Sequence, residues 1–232
     1  MNVMKTAIKI ARCDYYQNEI CKGFIECQDN AGVRQIPEPW NGDIENSKIL
    51  ILSSNPSYDS TEEYYPAYND DDEIIYDYFK NRFNDPKGKN FKSVKFWNTI
   101  NKWTHWIECI EKGETNADNI IQYHKNKANE SALNEVCISE VCHCKSAEQK
   151  CVSEYVDKCV NKHLDSVLKC FNGKYIIVVG SIAWNFHDRI SSQTKAKVLS
   201  IQHPNAYNVN DISRINDFIT QLKHLSINLI IQ

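Results

Sequence analysis

Two polar side chains just past apolar runs are the residues of this sequence best placed to do chemistry. Ile49-Leu50-Ile51-Leu52 is followed by Ser53-Ser54-Asn55-Pro56-Ser57-Tyr58, and Val198-Leu199-Ser200-Ile201 runs into Gln202-His203-Pro204-Asn205-Ala206. The first run reads as a strand buried on both faces, and asparagine, proline and serine stop it abruptly; the second repeats the design. Asn55 and His203 therefore stand at the carboxyl ends of strands, where open α/β sheets bind ligands. An amide is no strong base, so Asn55 would act by positioning a reactant.

Other reactive side chains read differently. The ten cysteines come with no secretory leader at the start and no C-x-x-C pair, so they point to reduced thiols or metal ligands rather than disulfides, and the strongest zinc pattern is missing. The acid run Asp70-Asp71-Asp72-Glu73 reads as a solvated loop, since four consecutive carboxylates are poorly spaced for a metal. Lys87, Lys89, Lys92 and Lys95 interleave with Phe91, Phe96 and Trp97, and these lysines could meet phosphates.

The elements that must position these groups follow from periodicity. The 232 residues predict one large domain, 1–232, with a lead-in over 1–47 that closes on the turn-forming Pro37-Glu38-Pro39-Trp40-Asn41-Gly42. Trp40 either packs over the sheet or lines a ligand site. Strands are expected over Lys48–Ser53, Glu135–Cys142, Lys174–Val179 and Lys197–Gln202, with Gly180 ending the third. Apolar spacing predicts helices over Val94–Lys112, Ser146–Phe171 and Asp211–Leu225, and a short one at Ala183-Trp184. The segment Asp59–Asp85 is crowded with tyrosines, and 113–132 reads as a surface loop with a short helix. Four strands separated by helices make a three-layer α/β/α sandwich around a four-stranded parallel sheet. A net charge of −3 leaves any nucleic-acid binding to local patches. No run approaches the roughly 18 apolar residues of a membrane span, so the expectation is a cytoplasmic protein.

Asn55-Pro56-Ser57 after the first strand, Gly180 after the third and His203-Pro204 after the fourth resemble the uracil-DNA glycosylase superfamily, over roughly residues 37–225. The resemblance implies that DNA crosses the carboxyl ends of the strands and that an N-glycosidic bond is hydrolysed. Asn55 would hold and polarise the attacking water, and His203 would donate a hydrogen bond to the base oxygen as negative charge builds there. No cofactor is required for that chemistry.

Two positions differ from the uracil-specific members. Ser57 stands where those enzymes carry a large tyrosine that bars a C5 substituent. In Ile138-Ser139-Glu140-Val141-Cys142-His143-Cys144, Glu140 takes the place of a base-reading asparagine, and a carboxylate that only accepts suits the exocyclic amine of cytosine. The pair points to a C5-modified cytosine. The local sequence is similar to bacterial anti-phage glycosylases that remove glucosylated hydroxymethylcytosine from phage DNA. A uracil or damaged-base enzyme and a non-catalytic DNA-binding module are the alternatives; a flavodoxin-like cofactor binder is disfavoured because no glycine-rich loop follows the first strand.

An extruded nucleotide needs further contacts. Tyr65 or Tyr68 is expected as the stacking platform and Tyr207 as the wedge, with Tyr58 and Asn205 beside them on DNA. Ser181, Lys145, Ser146, Lys92 and Lys95 are expected at phosphates. The protein is expected to act as a monomer. Some relatives hold a [4Fe-4S] cluster; Cys144 and Cys159 fall where one pair of ligands would stand, and Cys13 with Cys21 or Cys27 could supply the other. The usual close N-terminal pair is missing, so free structural thiols are the expectation.

Overall fold

The computed structural model describes residues 2–18, 20–57, 64–82, 94–127, 130–206 and 209–227. Its centre is the set of strands that the apolar runs predict: β1 (Ile49–Ser53), β2 (Val136–Glu140), β3 (Tyr175–Val179) and β4 (Lys197–Ile201). They pair in the order β2-β1-β3-β4, and every pairing is parallel. All residues of the first three are buried, as a sheet covered on both faces requires.

Along the chain the helices are α1 (Val3–Ala11), α2 (Asp14–Gln17), α3 (Lys22–Asn30), α4 (Asp72–Lys80), α5 (Val94–Glu111), α6 (Ala117–Asn126), α7 (Val152–Cys159), α8 (Asp165–Cys170), α9 (Ser181–Trp184), α10 (His187–Gln193) and α11 (Asp211–Ile227). Successive strand side chains point to opposite faces, and the helices divide accordingly. Leu50, Leu52, Ile176 and Val178 join one core with Ile10 of α1, Phe24 of α3, Val156 of α7 and Leu168 of α8. Ile49, Ile51, Ile177 and Leu199 join the other with Trp103 and Trp106 of α5, Ile120 of α6 and Phe218 of α11. The result is the expected α/β/α sandwich.

The lead-in is itself folded, with α1 and α3 lying in the first core. Trp40 is 1% exposed there, so it packs over the sheet. A smaller cluster, Ile8, Ala11, Ile36, Ile75 and Phe79, ties α4 to α1. Gly173 is fixed by close approach: a Cβ on it would lie 2.3 Å from the Ser47 carbonyl oxygen.

Three expectations need correction. The helix predicted from Ser146 begins only at Val152, because Glu148, Gln149 and Cys151 have φ of 51°, 58° and 66°, and it passes through a π turn at Val160–Leu164. The acid run is not all loop: Asp72 and Glu73 form the first turn of α4, where the helix dipole favours them, and Asp72 pairs with Arg12 at 2.6 Å. Strand two ends at Glu140 rather than Cys142, although the main-chain N–H groups of Val141 and Cys142 still donate to the Ser53 and Ser54 carbonyls (2.9 Å each). No helix among the described residues is long and apolar enough to cross a membrane.

Candidate active site at the carboxyl ends of the strands

Parallel strands bring all their carboxyl ends to one edge. Read across that edge, strand order sets out Glu140, Asn55, Gly180 and His203 in sequence. The end of β3 lies between the strand that leads into Asn55 and the strand that leads into His203. That end carries no side chain: Gly180 has φ +84°, and a Cβ placed on it would meet nothing within 4 Å. The edge therefore has a gap flanked by an amide and an imidazole.

Asn55 is half-buried and fixed by its nitrogen. Its Nδ2 donates to the Pro56 carbonyl (3.0 Å) and the Ser146 hydroxyl (3.0 Å), with the Cys144 carbonyl at 3.5 Å. Carbonyls only accept, so the nitrogen must face them. The Oδ1 end is left as an acceptor, the polarity needed to hold a water by its hydrogen. Ser146 is held in turn by its main-chain N–H on the Pro56 carbonyl (3.1 Å).

At the other end, Asn205 donates its main-chain N–H to Nδ1 of His203 (3.1 Å), which leaves the ring proton on Nε2. Burial, then the nearby Arg214 guanidinium, lower the His203 pKa, so the neutral imidazole with an Nε2–H donor is the favoured form. Arg214, itself buried, donates to the carbonyls of His203 (3.0 Å) and Pro204 (3.1 Å).

Beside Asn55 lies a buried polar group. Glu140 ends β2 directly across from Ser53, is 6% exposed, and its Oε2 is buried with no hydrogen-bond partner. Glu38 is 3% exposed. Its Oε2 takes the Lys145 ammonium at 2.7 Å and the Tyr65 hydroxyl at 3.3 Å, and its Oε1 takes the Asn41 amide. The Lys145 ammonium also lies 4.4 Å from the centre of the Tyr65 ring and donates to the Ser57 carbonyl (3.4 Å). Burial alone would raise the Glu38 pKa, but Lys145 and Arg82 overrule it and hold this carboxylate below its ordinary range. Glu140 goes the other way: burial first, then Glu38, push its carboxyl well above the ordinary value against the opposing pull of Lys145. A carboxyl shifted this way can donate from its acid form as well as accept, in addition to the acceptor role expected of Glu140.

Several other expected contacts are placed differently. Lys145 and Ser146 are buried and engaged with Glu38 and Asn55, so they do not offer themselves to phosphates. Tyr65 is at the site, but its hydroxyl is committed to Glu38 and the Ile36 carbonyl. Tyr68 is exposed and held with Arg12, whose guanidinium lies 5.8 Å from its ring, so it stands with α1 and α4 rather than beside Lys145. Ser57, Ser181 and Asn205 are exposed. Tyr58, Lys92 and Tyr207 lie outside the described residues, as does the side chain of Lys95. Glu38, Asn41 and Arg214 had no sequence signal: two sit in a turn-forming stretch and the third on an ordinary amphipathic helix.

On the far side of Lys145, the named cysteines do converge. Cys13, Cys21, Cys144 and Cys159 line one small apolar cavity of about 10 Å³, with Cys142 and His163 also on its wall; that is room for about one water. His163 Nε2 is 3.2 Å from the Cys13 sulfur, and the His143 main-chain N–H donates to that of Cys159 (3.3 Å). Burial, then His143, lower the His163 pKa to about 2, so its imidazole is neutral. Among the described residues no three His, Cys, Asp or Glu side chains are grouped to hold a single metal ion. Four buried thiols from separate segments are the donor set an iron–sulfur cluster takes, and a cavity of about 10 Å³ admits one only if those side chains move outward.

Comparison with known families gives one result: the model of the uracil DNA glycosylase superfamily matches residues 39–225. Comparison with curated proteins finds no match.

Proposed function

The chain belongs to the uracil DNA glycosylase superfamily, whose members are DNA glycosylases, and from that membership we propose that it hydrolyses the N-glycosidic bond of a C5-modified cytosine. The substrate we favour is glucosylated hydroxymethylcytosine in phage DNA, with anti-phage defence as the role. What supports the substrate reading is Glu140, a carboxyl at the end of β2 able to accept from an exocyclic amine, combined with Ser57, a small residue where the uracil-specific members carry a tyrosine.

The roles follow from what each group can donate. Asn55 holds the water by its free Oδ1 and points it at the anomeric carbon. His203 gives its Nε2–H to the base O2, where negative charge collects as the bond to the sugar breaks. Glu140 meets the Watson–Crick edge, donating to N3 and accepting from the exocyclic amine of cytosine. Tyr65 borders the base pocket. Ser181 and Asn205, with Tyr58, Lys92, Lys95 and Tyr207, are the groups proposed to face DNA. A neutral carboxyl can also donate to O4 and accept from N3–H, so uracil is the second reading.

We further propose that Cys13, Cys21, Cys144 and Cys159 hold an iron–sulfur cluster. It would tie the N-terminal helices to the segment that carries Lys145 and Ser146, and it has no part in bond cleavage.

The test is a panel of duplexes carrying uracil, hydroxymethylcytosine or its glucosylated form, incubated with wild-type and Asn55→Ala protein and probed for alkali-labile abasic sites. The expected result is cleavage of the modified-cytosine duplexes by wild type only, with DNA affinity near normal in the variant. Binding with every duplex left intact would make the protein a reader rather than an enzyme.

A further inference from the structure

We propose that Glu140 is the acid that protonates the departing base at N3, which makes this site selective for cytosine-type leaving groups. The inference rests on the excision reading above and adds a catalytic step to it.

The geometry assigns the proton. Two carboxyls share one buried site with one lysine, and the donors are unevenly distributed. Glu38 receives Lys145, Asn41 and Tyr65, whereas the Oε2 of Glu140 receives nothing. Among the described residues Glu140 has the Ser53 hydroxyl as its one side-chain donor, against three for Glu38. A buried carboxylate so poorly supplied is a costly ion, and two carboxylates side by side cannot both ionise cheaply. The proton therefore belongs on Glu140. The charged or titratable groups that face it are Glu38, Lys145 and Arg82, with Cys137 behind it on the same strand. Burial first, then Glu38, favour the acid form, and Lys145 and Arg82 oppose it; the carboxyl is shifted upward all the same, in agreement with the assignment.

A buried oxygen without a partner is an exception that calls for one. The edge of an extruded cytosine supplies it, because N3 is a ring nitrogen with a lone pair and the adjacent amine is a donor. The chemistry needs the proton more for cytosine than for uracil. The uracil anion spreads its charge over two carbonyl oxygens, while the cytosine anion has one. In the step proposed, the C1′–N1 bond breaks and its electron pair moves into the ring. The Glu140 proton passes to N3, and a neutral base leaves. The Asn55-held water bonds to C1′ and loses one proton to solvent, and Glu140, briefly a carboxylate facing Lys145 and Arg82, regains a proton from solvent. The net change is consumption of one water. Uracil already carries hydrogen on N3 and cannot accept there.

Single-turnover excision from hydroxymethylcytosine, glucosylated hydroxymethylcytosine and uracil duplexes, measured from pH 5.5 to 9 for wild type, Glu140→Gln and Glu140→Asp, tests this. Glutamine keeps a donor and an acceptor at the base edge but has no proton to give. The expected result is a wild-type rate on the cytosine-type duplexes that falls tenfold per pH unit above the Glu140 pKa. Glu140→Gln should lose about 10²-fold or more at low pH, lose that pH limb, and shift the cytosine-to-uracil ratio towards uracil. Glu140→Asp should keep the limb, and affinity for a duplex with a non-cleavable 2′-fluoro sugar should survive in both. Glu140→Gln matching wild type in rate and pH profile, or losing both base types equally, overturns the proposal and leaves the glycosylase reading standing. Wild type releasing no base from any duplex overturns both.

Discussion

Glu140→Gln also tests the protonation argument with no DNA present. The carboxyl is fully enclosed, has a partnerless oxygen and lies beside Glu38, so its folded pKa stands above the unfolded value near 4.3. Folding therefore takes up a proton in the window between those two values. The sign follows: stability from this group is complete below the unfolded pKa and is lost as pH rises towards the folded one, at about 1.4 kcal/mol per pH unit. Glutamine removes that loss and changes little in shape. Urea unfolding of both proteins at half-unit steps from pH 4.5 to 8 should show Glu140→Gln gaining on wild type by about 1.4 kcal/mol per unit, then levelling at the folded pKa. In thermal scans each kcal/mol is worth about 2–4 °C for a chain of this size. Subtracting one protein from the other cancels groups they share, such as the depressed imidazoles of His143 and His163. A difference that does not change with pH, or one in which wild type gains as pH rises, would mean that Glu140 is an ion paired with Lys145, and the reasoning fails.

Lys145→Met should be costly, because it leaves Glu38 buried without its 2.7 Å partner. Breaking such a pair from one side costs about 3–5 kcal/mol, read as a fall in the urea midpoint; a midpoint within error of wild type would show that solvent reaches Glu38. Protein purified without oxygen should carry iron and a broad visible absorption that Cys144→Ser and Cys159→Ser both abolish, while wild type devoid of iron returns these thiols to a structural role.

Strand ends were readable because short, largely apolar runs cut off by Asn-Pro and His-Pro are too short for buried helices and suit buried parallel strands, so the sequence itself puts Asn55 and His203 at one edge. What stayed hidden depends on chain segments meeting. Glu38 sits between Pro37 and Pro39 in a stretch whose local composition signals a turn, and nothing nearby marks it as the partner of Lys145. Lys145 for its part reads as a surface cation until burial and Glu38 are known. The same holds for the thiols: the spacing of Cys13 and Cys21 lacks a metal-binding pattern, yet the fold of the lead-in brings both to Cys144 and Cys159. Between Ser146 and Cys151 nothing in the residue types interrupts the helix that the apolar spacing from Val152 onward predicts, and three positive φ values start it later.

These hidden contacts share one electrostatic logic. The groups proposed to act on the flipped base and the attacking water are uncharged: the Asn55 amide, the Glu140 acid and the neutral His203 imidazole. The charges stand one step behind, as the Glu38–Lys145 pair beside Glu140 and as Arg214 on the His203 carbonyl. A base entering such a site desolvates dipoles rather than ions, which costs far less. The ions still act, since Glu38 raises Glu140 and Arg214 lowers His203. Charge is thus kept where it can tune proton positions without having to be stripped of water each time a nucleotide flips in, and removing Lys145 should break the pair and also take away the pull that lowers the Glu140 pKa.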